Sequence, residues 1–205
     1  MLTIINKRVY TSNMTEATAP VTRRAEILSA AAKLFAQRGY HGVSIGDLGR
    51  AVGLTGPALY RHFRGKEALL AEMLLDISER LLTEGRRRVA GAGCPSDALN
   101  ALLDWHIEFA LNEPALITVH ERELDNVPQP QRREVRRLQR AYTEEWVQTL
   151  RHRYPDTPAD RARAAAHAVF GLLNSTPRSA GELDQGAMAP LLHAMGAHAL
   201  AGAFS

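Results

Sequence analysis

Residues 42–69 read GVSIGDLGRAVGLTGPALYRHFRGKEAL, and two short helices with a tight turn between them can be marked on this stretch from local chemistry alone. Ser44 followed three residues later by Asp47 fits a capping box, in which each side chain satisfies the other's backbone N–H. The helix it opens runs to Val52 and stops at Gly53, and Leu54 then packs inward. Thr55 is placed to cap a second helix, with Pro57 in its first turn, where a missing N–H costs nothing. That helix reads Ala58-Leu59-Tyr60-Arg61-His62-Phe63. Arg64-Gly65 breaks it, and Lys66-Glu67 opens a long helix burying Leu69, Leu70, Met73, Leu74, Ile77, Leu81 and Leu82.

Upstream, apolar residues recur at helical spacing from Thr22 to Gly39, through Ile27, Leu28, Ala31, Leu34 and Phe35. Thr22 suits the start of that helix, and Gly39 suits the left-handed residue that ends one. Downstream, the pattern is helical throughout: Asp97 to about Leu111, Pro114 to about Leu124, Gln131 to about Arg153, a capping box at Thr157-Pro158-Ala159-Asp160 leading to about Asn174, and Leu183 to Ala201. Ser175 to Gly181 reads as loop. No run alternates with period two over strand length, so the expected fold is all-α with about nine helices.

The chain has 205 residues, and 45% hydrophobic with 23% charged residues is ordinary globular composition. Its net charge of +3 divides unevenly. Residues 1–66 hold ten Lys/Arg and three Asp/Glu, giving +7; residues 67–205 hold fifteen and nineteen, giving −4. A basic head on an acidic body suggests that the head meets a polyanion. One cysteine, Cys94, allows neither an intramolecular disulfide nor a cysteine-based zinc site. No apolar run reaches membrane-spanning length and no signal peptide is legible, so a cytoplasmic protein without membrane contact is expected. Residues 1–20 read as a flexible tail, with Met14 an alternative start to Met1. The expected division is tail 1–20, a basic helical unit 21–81 and helical body 82–205.

A packing helix followed by two short helices and a tight turn, inside the basic segment, describes a helix-turn-helix unit. Residues 42–69, with Ala31-Ala32-Lys33-Leu34-Phe35-Ala36-Gln37-Arg38-Gly39-Tyr40 before them, resemble the TetR family of transcriptional repressors over about residues 22–75. The resemblance implies operator contacts, mainly to phosphate, from Tyr60 and His62, with Tyr60 also near bases, and a phosphate contact from Lys66. Ser44 and Thr55 are caps whose hydroxyls can also reach phosphate at helix N-termini. Base reading falls to Gly56, Pro57, Ala58, Tyr60 and Arg61, Arg61 being the candidate for bidentate guanine recognition. Gly46 and Gly49 depart from the family's preference, alanine being common at position 49. Glycine inside a helix costs about 1 kcal/mol, so close helix crossing or close approach to DNA is expected there.

By the same resemblance, the protein is a homodimer through its last two long helices, which are rich in alanine, reading a palindromic operator. A small molecule, apolar or an acyl-CoA, would enter a pocket between Asp97 and Asn174 and release the DNA. Candidates to line it are Trp105, His106, Phe109, His120, Leu124, Tyr142, Trp146, His167, Phe170 and Asn174, each of which ordinary core packing also explains. Arg132, Arg133, Arg136, Arg137 and Arg140 form a stripe that is either a solvated face or a site for CoA phosphates. Eight histidines show no metal-ligand spacing, so neither metal nor cofactor is expected. The rival readings are a regulator of the same fold that activates or ignores ligands, and a helical enzyme, which lacks a nucleophile motif and leaves the +7 segment unexplained.

Overall fold

The computed structural model describes residues 22–179 and 183–204. The expected tail and the question of Met1 or Met14 lie outside the described residues. The described chain is helical: α1 (Arg23–Arg38), α2 (Ile45–Ala51), α3 (Gly56–Tyr60), α4 (Lys66–Ala90), α5 (Pro95–Asn112), α6 (Pro114–Glu123), a 3-10 turn (Leu124–Asn126), α7 (Gln129–Arg153), α8 (Ala159–Leu173), a single turn α9 (Thr176–Ser179) and α10 (Gln185–Ala203).

Local chemistry fixes the N-terminal boundaries. Thr22 Oγ1 accepts from Ala25 N at 3.2 Å, and Gly39 ends α1 at φ 71°. Ser44 Oγ accepts from Asp47 N at 3.1 Å while Asp47 Oδ2 accepts from Ser44 N at 2.9 Å, so the capping box closes in both directions. The Ser44 hydroxyl, which donates to Asp47 Oδ2 at 2.6 Å, and then the Ser44 N–H hold the Asp47 carboxyl down at about 2. Gly53, at φ 66°, turns the chain into α3, where Thr55 Oγ1 accepts from Ala58 N at 3.4 Å.

Three boundaries depart from the sequence reading. α3 ends at Tyr60, because Arg61 N and His62 N tighten to bonds three residues back, at 3.3 and 2.9 Å, and this swings Phe63 into the core. The capping box at Thr157 does not form: Thr157 is buried, Pro158 stands before α8, and no side chain caps that helix. Part of the expected loop after Asn174 is the turn α9, anchored where Thr176 Oγ1 donates to Ala110 O at 2.8 Å.

Two apolar clusters divide the interior. The first joins α1, α2 and α3 to the first half of α4 through Ile27, Phe35, Leu48, Leu59, Phe63 and Leu70, and draws in Ile117 and Val119 of α6. The second fills the space between the rest of α4, α5, α7, α8 and α10, around Leu102, Trp146, Leu150 and Leu173. Ile77 is the last residue of α4 wholly in the first cluster and Leu82 the first in the second, so one continuous helix ties both together.

Candidate nucleic-acid interface and internal cavity

The turn between α2 and α3 is tight because Leu54 N donates to Gly49 O at 2.8 Å. A Cβ on Gly49 would meet Leu54 O at 2.5 Å, so the glycine is required by the turn's own backbone. Gly46 is exposed and has room around it. Of the residues expected to face a duplex, Ala58 is turned inward with Leu59, whereas Ser44, Thr55, Pro57 and Arg61 are exposed and Gly56 and His62 half-buried. Tyr60 leaves 55% of its surface in solvent, an aromatic that the core does not use. Arg61 and Arg64, on either side of the turn after α3, pair with no carboxylate among the described residues, while Arg50 is neutralised by Asp47.

Two other cations of this segment are structural. Arg24 pairs with Glu72 of α4, donates to His62 O at 2.6 Å and stacks 4.2 Å over the Phe63 ring, clamping the end of α3 between α1 and α4. Lys66 is half-buried, and its Nζ donates to Tyr40 O at 2.7 Å and Val43 O at 2.9 Å. Two of its three protons are therefore spent inside the protein.

In the helical body, a cavity of about 220 Å³ opens among α4, α5, α6, α7 and α8. Seven of the residues singled out in the sequence, His106, Phe109, His120, Tyr142, His167, Phe170 and Asn174, meet in its wall. Trp105, Trp146 and Leu124 do not. Trp105 lies between α4 and α5, its Nε1 donating to Leu81 O at 3.1 Å under the Arg88 guanidinium. Trp146 is fully buried behind His106, Tyr142 and Phe170, edge-on to all three, and among the described residues its Nε1 has no hydrogen-bond partner. Leu124 packs toward the first cluster. The sequence reading missed Ile77, Ser78, Leu81, Leu116, Ile117, Glu121, Gln139 and Thr143. Ser78 carried a signal, a hydroxyl set in the apolar stripe of α4. Gln139 lies three residues before Tyr142 and four before Thr143, the two spacings that make side chains neighbours on a helix such as α7.

A chain of hydrogen bonds crosses the wall. His106 Nε2 lies 3.0 Å from Asn174 Oδ1, and His106 Nδ1 lies 3.3 Å from Tyr142 Oη. Burial pushes the His106 imidazole down to about 4, so it is neutral, and raises the Tyr142 phenol. Since a carboxamide oxygen only accepts, Nε2 carries the proton, Nδ1 accepts, and Tyr142 donates. The rings of His106, Tyr142 and Phe170 lie within 13° of parallel. Across the cavity His120, whose pKa burial also lowers, bonds to Gln139. α6 thus holds His120 and Glu121 in this wall while Ile117 and Val119 pack into the core shared with α1.

The arginine stripe of α7 is partly neutralised. Arg132 and Arg136 reach Asp125 at 3.1 and 3.5 Å, and Arg137 grips Glu134. Arg133 and Arg140 pair with no carboxylate among the described residues. Cys94, exposed, serves as the cap of α5, its Sγ 3.4 Å from Asp97 N. Among the described residues no three His, Cys, Asp or Glu side chains gather as a metal site, and no helix is long and apolar enough to cross a membrane. Leu191 and Met195 of α10 stand 44% and 49% exposed, and on α8, which packs against α10, the small residues Ala168 and Gly171 are exposed as well.

A capped helix-turn-helix seated on a helical body with an internal cavity defines a class of bacterial regulators. Residues 27–73 match the family described as bacterial regulatory proteins, tetR family, and residues 92–197 match the tetracyclin repressor-like C-terminal domain. The chain belongs to the tetR family. The HTH-type transcriptional repressor KstR2 of Mycolicibacterium smegmatis is 29% identical over 113 residues, 54% of this chain and 55% of that protein. The chain spans about half the length of the curated relatives it matches. A TetR-family transcriptional regulator from Bordetella parapertussis superposes with a TM-score of 0.76 at 28% identity, covering 84% of this chain and 93% of that one. AibR, solved in complex with isovaleryl coenzyme A and operator DNA, shares the fold at a TM-score of 0.68 and 20% identity, over 85% of this chain and 97% of its own.

Proposed function

We propose that the protein is a homodimeric transcriptional repressor that binds a palindromic DNA operator and releases it when a small molecule fills the cavity. The observation that carries this reading is Tyr60, solvent-exposed on a capped α3 and flanked by the unpaired Arg61 and Arg64. Such a face offers a ring to bases and two guanidinium groups to phosphate or guanine. Ser44, Thr55, Gly56, Pro57, His62 and the third proton of Lys66 complete the contact surface, while Ala58 serves mainly the core. The unit of organisation is a DNA-binding part, about 21–81, and a helical sensor and dimerisation part, about 82–205.

These exposed residues of α8 and α10 supply the two-fold contact, since a helix of the length of α3 reads only a few base pairs and specificity needs two copies. The effector is an apolar molecule or an acyl-CoA, a class supported by AibR and its isovaleryl coenzyme A. Arg133 and Arg140 are the cations that an anionic headgroup would meet on α7. The protein is a regulator, not an enzyme, and works beside its DNA in the cytoplasm.

Selection of a binding site from random duplexes, followed by fluorescence anisotropy over a salt series, tests the reading. A selected palindrome should bind more tightly than random duplex by on the order of a thousandfold or more, the margin by which specific sites exceed non-specific DNA. Arg61→Ala should lower the salt slope by about one. Equal affinity for the selected and the random duplex would sink the proposal.

A further inference from the structure

The cavity wall states what polar group its occupant presents, granted the reading above that the cavity is the effector site. Asn174 Oδ1 is committed to His106 Nε2–H at 3.0 Å, and His106 in turn takes the proton of Tyr142. This relay fixes which way the carboxamide faces, and leaves Asn174 Nδ2 with no acceptor among the described residues. The other hydroxyl groups of the wall keep no proton to offer: Ser78 donates to Leu74 O at 2.7 Å and Thr143 to Gln139 O at 3.1 Å. Gln139 Nε2 and His120 Nε2 are bonded to each other, which occupies one of the two amide protons of Gln139.

Charge narrows the choice further. No lysine or arginine belongs to the wall, and its one carboxylate is Glu121, at the edge, where Arg178 of α9 lies 3.8 Å away. An anionic group brought inside would find no lysine or arginine in the wall, only the imidazoles of His106, His120 and His167, and would carry a desolvation cost that an uncharged group avoids. An uncharged oxygen avoids that cost and satisfies the Asn174 amide donor, which the relay holds in place.

We propose that the buried end of the effector is an uncharged carbonyl group, whose oxygen accepts a hydrogen bond from Asn174 Nδ2, and that the cavity rejects the corresponding free carboxylate. The carbonyl comes from a free ketone or ester or from the thioester of an acyl-CoA whose charged head stays outside.

Isothermal titration calorimetry on the full chain with decan-2-one, decanoate and decanoyl-CoA tests this. The ketone, the thioester or both should bind, and decanoate should bind at least tenfold more weakly than whichever binds best. Binding by decan-2-one points to a free carbonyl compound, and binding by decanoyl-CoA alone to the thioester. Asn174→Leu should weaken the carbonyl probe about tenfold, the loss of one buried hydrogen bond, whereas Gln139→Leu should change it less than twofold. Should Asn174→Leu fail to fold by thermal unfolding, Asn174→Asp keeps an acceptor for His106 and removes the donor, and should show the same loss. Decanoate binding as tightly as the ketone, no binding by either carbonyl probe, unchanged affinity in the Asn174 variants, or a larger loss in Gln139→Leu each overturns the proposal. DNA release is measured in parallel: a carbonyl probe that binds through Asn174 without releasing DNA overturns the repressor reading and leaves this one standing.

Discussion

The ammonium of Lys66 sits 4.1 Å above the centre of the Tyr40 ring, and from there it reaches the carbonyls of Tyr40 and Val43. The first residue of α4 thereby ties down the chain that enters α2. Lys66→Ala should lower the stability of the protein by on the order of 2 kcal/mol, the loss of charge-assisted bonds to two carbonyls. Thermal unfolding measures that loss. A DNA titration of the same variant should show weaker binding to every sequence, and a variant with an unchanged melting temperature would refute the structural role.

Gly46 and Gly49 stand three residues apart on α2 and should respond in opposite directions to alanine. At Gly46 the nearest atoms to an added Cβ are Ser44 Oγ at 3.6 Å and Arg50 Nη1 at 3.8 Å, so Gly46→Ala should stabilise by up to about 1 kcal/mol. At Gly49 the same methyl meets the backbone oxygen of Leu54, and the cost of opening the turn should outweigh the gain in helix propensity. Denaturant melts of the two variants check the sign of each.

His106 makes stability fall in mild acid. Its folded-state value near 4 lies below the ordinary 6.5, so between these values the unfolded chain takes up a proton that the native chain refuses. The stability contributed by the neutral ring is complete above about pH 6.5 and is lost as pH falls toward 4, a loss on the order of 3 kcal/mol. His120, lowered by burial as well, adds to the same trend. His106→Gln should flatten the fall in melting temperature between pH 6.5 and 4.5 relative to the native chain. Parallel curves for the two proteins would show that His106 titrates normally.

Leu191 and Met195 lie one turn apart on α10 and are among the largest exposed apolar side chains of the described residues. Replacing both by glutamate should leave the protomer folded, because neither belongs to its core, and should convert a dimer into a monomer by analytical ultracentrifugation. The monomer should lose affinity for a two-half-site operator far more than for a single half-site.

The N-terminal helices were legible because their ends are written in residues that act on their near neighbours. Ser44 and Asp47, Thr55 and Ala58, and Gly39 each do their work within four positions. The failures lie where a longer reach decides. Thr157 has a cap's sequence and a buried side chain. Arg24 and Lys66, two cations of the basic segment, also find partners far along the chain, Glu72 and the Tyr40 and Val43 carbonyls, at 48, 26 and 23 positions' distance. In the body, the aromatic and histidine residues could be gathered into one neighbourhood, but not sorted. Tyr142 and Trp146 lie four residues apart on one face of α7, so which of them lines the cavity depends on where along the helix the cavity falls, and the helix's own pattern does not say.

Gly85 gives the long helix α4 a further meaning. A Cβ there would come within 2.9 Å of Tyr142, so the backbone of α4 rests directly on a ring of the cavity wall. Lys66 begins the same helix 19 residues away, a rigid arm of about 28 Å at 1.5 Å per residue. A tilt of about 5° at the point of rest carries the far end through roughly 2.5 Å over such an arm. The fulcrum is a glycine because only the absence of a side chain lets arm and ring touch, and an alanine at that position would hold them apart.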